Sequence, residues 1–187
     1  NSGPGSPAWM FIRKELQDQL RIPIQGWFSN DRQFEMGPFY EKAEGIRGFQ
    51  IASPSIIGIR GVEVAFEMIA EAGIDKIQDK AAKGTDLMIE LFDAWLAPLG
   101  FSLGTPRDSK KRGGHIIVIH KDAKQIAVAL RKLKNVSPDY REPGAIRLAI
   151  SPLATSYAEV FDGFERLRDL VSSGDYKQVA IDGNRVT

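Results

Sequence analysis

Arg147 lies inside the apolar run Ile146-Arg147-Leu148. Neighbouring side chains of a strand project to opposite faces, so Ile146 and Leu148 share one face and Arg147 takes the other. Two readings follow. Either the guanidinium faces solvent on an open sheet, or it faces a pocket and grips a carboxylate with two parallel hydrogen bonds. Trp27 follows Gly26 in a polar loop. Its indole N–H can only donate, so the ring is either a core aromatic or a donor to an anion. Ser53 precedes Pro54 and stands upstream of a helix. It is either a cap or turn residue, or a hydroxyl placed for a phosphate near a helix start. His115 and His120 mark the two ends of one strand. Their odd spacing sends them to opposite faces, so they are not expected to share a metal, and His115 reads as a packed or hydrogen-bonded histidine. No metal site is assigned.

Other chemistries find no support. The chain has no cysteine, hence no disulfide, thiolate site or cysteine nucleophile. Gly3-Pro4-Gly5 lacks the lysine and spacing of a phosphate-binding loop, and no Ser/His/Asp arrangement stands out. Basic and acidic residues number 25 and 24, a net charge of +1, which makes no electrostatic case for nucleic acid. The run Lys110-Lys111-Arg112 reads as a solvated loop. Asp31/Arg32, Glu41/Lys42 and Asp139/Arg141 read as surface or loop charges. No run of roughly 18 apolar residues suggests a membrane span, and the opening residues do not have a signal-peptide pattern. An intracellular home is compatible with this composition.

These residues need elements to hold them. Asn1 to Pro7 is Gly/Pro/Ser punctuation and reads as a loop within a longer protein. Ala8 to Ile12 is apolar and long enough for a buried strand, and Arg13 to Leu20 suits a short helix. Gly26 to Asn30 is a loop, and Gly48 to Ser55 is extended up to Pro54. Val62, Ala65, Phe66 and Ile69 carry helical spacing up to Gly73. A second helix opens at Asp75 and runs through Met88, Phe92, Trp95 and Leu99 to Gly100. Strands are expected at Phe101–Leu103, His115–His120, a short one from Val136 broken at Pro138, and Ala145–Ile150. Helices are expected at Asp122–Leu133 and Ser156–Val171, with a polar, loose tail over 174–187. This order predicts an α+β layer: a small antiparallel or mixed sheet with helices on one face.

Four stretches carry a resemblance: Asn1 to Ala8, Gly26-Trp27-Phe28, Gly48 to Ile56, and Asp139-Tyr140-Arg141-Glu142-Pro143 with Ile146-Arg147 and Ser151-Pro152-Leu153. Together, in this order, they resemble the kynureninase family of the class V aminotransferase superfamily. Arg112-Gly113-Gly114-His115 also fits the bacterial pattern. The chain departs from that pattern at Ser29-Asn30, where Gly-His is usual, and at Ser53, where many members have Asn or Thr.

The resemblance implies the C-terminal small domain of a fold type I enzyme dependent on pyridoxal 5'-phosphate (PLP), with residues 1–55 as the tail of the large PLP domain and 56–187 as the small α+β domain. It implies hydrolysis of L-kynurenine, or 3-hydroxykynurenine, to anthranilate and L-alanine in the kynurenine case. The setting would be tryptophan catabolism and NAD biosynthesis in a cytoplasmic homodimer. Trp27 and Ser53 would contact the cofactor phosphate across the dimer interface, and Arg147 would clamp the substrate α-carboxylate. The Schiff-base lysine would lie upstream of Asn1, so no catalytic residue is assigned here and the isolated chain is expected to be inactive. A non-catalytic fragment or dimerisation domain, or another class V PLP enzyme, are the alternatives.

Overall fold

The computed structural model describes residues 5–181. The first half of the Gly-rich opening, residues 1–4, and the end of the tail, 182–187, lie outside the described residues. The chain divides into two compact units, the second beginning at Ala72.

The first unit holds a short helix α1 (Lys14–Gln17), two 3-10 turns (Trp27–Ser29 and Gly45–Phe49) and a long helix α2 (Ile56–Ala72). The strand expected over Ala8–Ile12 does not form, and Trp9, Met10 and Phe11 are exposed. An apolar run becomes a strand only where a neighbour completes its hydrogen bonds. Here the ring of Trp9 instead stands edge-on to Phe66 of α2, with centroids 5.2 Å apart. Helix α2 also closes on the start of the chain at Gly58, where an added Cβ would come within 2.7 Å of the Gly5 carbonyl oxygen and of Pro7.

In the second unit Gly73, at φ +83°, starts α3 (Ile74–Leu91). The helical path continues through a wider turn at Phe92–Leu96 and a 3-10 turn at Ala97–Leu99. The stripe from Met88 to Leu99 is therefore continuous, as its spacing predicts. Strands β1 (Ser102–Leu103), β2 (His115–Ile119), β3 (Asp139–Arg141) and β4 (Ala145–Ala149) form one antiparallel sheet in the order β1-β2-β4-β3. Helices α4 (Ala123–Lys134) and α5 (Tyr157–Ser173) complete the layer. Ser156 caps α5 by accepting the Glu159 amide, and Glu159 returns the bond to the Ser156 amide.

The core lies between sheet and helices. Ile116, Val118 and Ile146 are fully buried and cluster with Leu96, Ile126, Leu130, Phe164 and Leu167. Each such side chain contributes roughly 1.5–3 kcal/mol by leaving water. Among the described residues no helix is long and apolar enough to cross a membrane.

Three local expectations are corrected. No strand starts at Val136, because its N–H turns back to the Leu130 carbonyl at 3.1 Å and closes the end of α4. Pro138 has no N–H to offer, and the ladder begins at Asp139. The described part of the tail is packed: Tyr176 is buried and donates to Asp122 at 2.9 Å. Arg112 does not belong to a solvated run. Its side chain is only 2% exposed, whereas Lys110 and Lys111 stay in solvent.

Candidate functional site

Strand alternation places Arg147 as expected. Ile146 is fully buried on the helix side, while Arg147 projects from the other face with its side chain 39% exposed. Its neighbours across the sheet are Ile117 on β2 and Asp139 on β3. The guanidinium is thus neither free in solvent nor open to a ligand on every side. One terminal nitrogen pairs with Oδ2 of Asp139. The same oxygen accepts from Arg141, at 2.9 Å from Nε and 2.7 Å from Nη2. Two guanidinium groups and one carboxylate leave a single net positive charge on this face. Asp139 is therefore not a loop charge. Its connection to Arg147 depends on strand register, which spacing within either strand does not reveal. Arg147 also borders a cleft of about 250 Å³ whose apolar lining includes Met88, Leu130 and Phe164.

The other two residues lie in the first unit. The Gly-Trp-Phe loop is held by its glycine and by Ser29. A Cβ on Gly26 would fall 1.8 Å from the carbonyl oxygen of Ile51, so only glycine permits this approach. Ser29 is fully buried. Its hydroxyl donates to the Gly26 carbonyl at 2.8 Å, accepts the Gly26 amide at 3.3 Å and accepts from Tyr40 at 3.0 Å. The departure from the family pattern at this position thus closes the turn. The loop is pressed onto the Ile51–Ser53 segment, and Trp27 and Ser53 come from these two adjoining pieces of chain.

Trp27 is 44% exposed, with its ring edge-on to Phe28 and Phe34, so it is not a core aromatic. Ser53 is exposed and does not cap α2. That role falls to Ser55, whose hydroxyl accepts the Gly58 amide at 3.2 Å. Among the described residues neither the Trp27 indole nor the Ser53 hydroxyl has a hydrogen-bond partner. Trp27 and Ser53 thus present two solvent-exposed donors on adjoining segments.

His120 is the packed histidine, rather than His115. Buried against Phe101, it accepts the Asp122 amide at Nδ1, 3.0 Å away. Burial holds its pKa below the usual imidazole value. Among the described residues no three metal-ligating side chains gather.

The fold defines a class. The chain superposes on a cysteine desulfurase from Thermococcus onnurineus NA1 with a TM-score of 0.70 over 87% of its length, at 20% identity, spanning 42% of that chain. It also superposes on a NifS-like protein with a TM-score of 0.54 over 68% of its length, at 18% identity, spanning 36% of that chain. These superpositions show that the chain shares its fold with part of each of these proteins. Sequence narrows it further. Residues 77–167 match the family model described as the kynureninase C-terminal domain. The chain is 35% identical over 181 residues to a kynureninase of Bacillus thuringiensis subsp. konkukian (strain 97-27), and 33% identical over 178 residues to one of Pseudomonas fluorescens. Each alignment covers 95% of this chain and 42% of the relative. The chain is therefore similar to the C-terminal portion of kynureninases and spans about two-fifths of their length.

Proposed function

We propose that this chain supplies the substrate-carboxylate site and part of the phosphate site of a kynureninase-like, PLP-dependent hydrolase. The reaction is cleavage of L-kynurenine, or its 3-hydroxy derivative, in tryptophan catabolism and NAD biosynthesis; the working form is a cytoplasmic homodimer. The observation that carries this reading is Arg147, half exposed on the outer face of β4 in a chain similar to kynureninases. A planar guanidinium matches a carboxylate with two hydrogen bonds, and the apolar Ile117 stands opposite Arg147 on β2. Trp27 and Ser53 would donate to the phosphate of PLP. The bound cofactor supplies the electron sink for carbon–carbon cleavage. The work of this chain is to bind, orient and anchor. Residues 1–55 are read as the tail of a large cofactor domain and residues 56–187 as the small domain.

The test uses the full-length protein with PLP. Release of anthranilate from L-kynurenine is expected. The Arg147→Lys variant should keep its PLP and lose about 30-fold or more in kcat/KM, because a point charge does not reproduce the fork. An analogue lacking the α-carboxylate should be affected little by the substitution. Release of sulfur from cysteine with no cleavage of kynurenine would place the protein with the desulfurases instead.

A further inference from the structure

We propose that Asp139 is a positioning residue for the carboxylate site: it tethers the Arg147 guanidinium by one nitrogen and leaves the rest of the fork for the ligand. This rests on reading Arg147 as the carboxylate-binding residue. Asp139 and Arg147 are directly opposed on antiparallel strands β3 and β4, so their side chains rise from the same face within reach of each other. Arg147 engages Asp139 through Nη2. Among the described residues no second carboxylate pairs with it, and the second N–H of Nη2, with the parallel N–H beside it on Nη1 or Nε, remains for two parallel bonds. Asp139 does not depend on Arg147 for its own compensation, because Arg141 holds the same oxygen through two nitrogens. The carboxylate is therefore fixed before a ligand arrives, with its side chain 23% exposed. An untethered arginine has many rotamers and loses that freedom on binding. Tethering places this loss in folding rather than in ligand capture, and the net positive charge of the trio still attracts an acid.

The full-length holoenzyme is titrated with a substrate analogue carrying the α-carboxylate and with the corresponding amine lacking it. Circular dichroism and thermal melting verify that each variant is folded. Asp139→Ala is expected to weaken the acid by about fivefold and the amine by less than about twofold. In turnover the loss should fall on KM rather than on kcat. Asp139→Glu should recover most of the affinity, and the isosteric Asp139→Asn serves if the alanine variant does not fold. If Arg147→Lys weakens the acid selectively while the Asp139 variants bind it like the parent, the tether is refuted and the carboxylate site stands. Tighter binding of the acid to the Asp139 variants would also refute it, since Asp139 would then be a competitor. If Arg147→Lys fails to distinguish acid from amine, the site assignment itself falls, and the tether with it.

Discussion

The Arg112 guanidinium donates through Nε to the hydroxyl of Thr85, 3.0 Å away and fully buried in α3. The same side chain donates to the Pro106 and Arg107 carbonyls and pairs with Asp86. One arginine thus pins the 104–114 connection onto α3, immediately before β2 begins.

Arg112→Met keeps much of the apolar stem and removes the donors. Hydrogen bonds to a charged group contribute about 1.5–3 kcal/mol, so a loss of about 2–3 kcal/mol is expected from urea unfolding. Lys110→Met, at an exposed neighbour, should stay within about 0.5 kcal/mol of the parent. Equal effects would mean that Arg112 is no anchor.

His120 gives the second unit a pH dependence with a definite sign. Its folded pKa lies below the unfolded value because burial disfavours the imidazolium. The unfolded chain binds the proton more readily, so stability is full above an unfolded pKa of about 6.5 and falls as the pH drops through the folded value. Melting temperature should therefore decline below about pH 6.5. His120→Gln, which does not titrate, should flatten that part of the profile. An unaltered slope would assign it to other groups.

Trp27→Phe retains a ring and removes the indole donor. PLP affinity of the full-length protein should fall by roughly tenfold, matching the loss of one hydrogen bond to a charged group, with melting of the apoprotein unchanged. Gly26→Ala acts differently. Its Cβ would collide with the Ile51 carbonyl, so it should displace the whole loop and lower PLP affinity by more than the tryptophan variant. Equilibrium dialysis with PLP measures both. A harmless Gly26→Ala would mean that the loop can shift without consequence.

The 187-residue chain by itself is expected to retain no PLP after dialysis and to release no anthranilate from L-kynurenine. The family resemblance puts the cofactor lysine before Asn1, and the relatives extend well beyond the 42% that this chain spans. A cofactor absorbance that survives dialysis, and disappears on reduction with borohydride, would show that one of these lysines does the work.

Periodicity and β-branched content along the chain were enough to place Arg147 opposite Ile146, to set the long helical stripe through Leu96, and to identify three of the four strands, with the helices that flank them; β3 was missed. Each of these depends on residues a few positions apart, where backbone geometry dictates which side chains share a face. Short motifs likewise singled out Trp27 and Ser53. Tertiary structure decided what those residues meet. Arg147 reaches Asp139 only because β3 and β4 pair in one register, and Arg112 is buried because a distant helix offers Thr85 beneath it. Trp9, Met10 and Phe11 show the converse, an apolar run left exposed because strand formation needs a neighbour to complete its hydrogen bonds. Sequence determined which faces exist, since that is local geometry, while long-range packing selected the partner of each face.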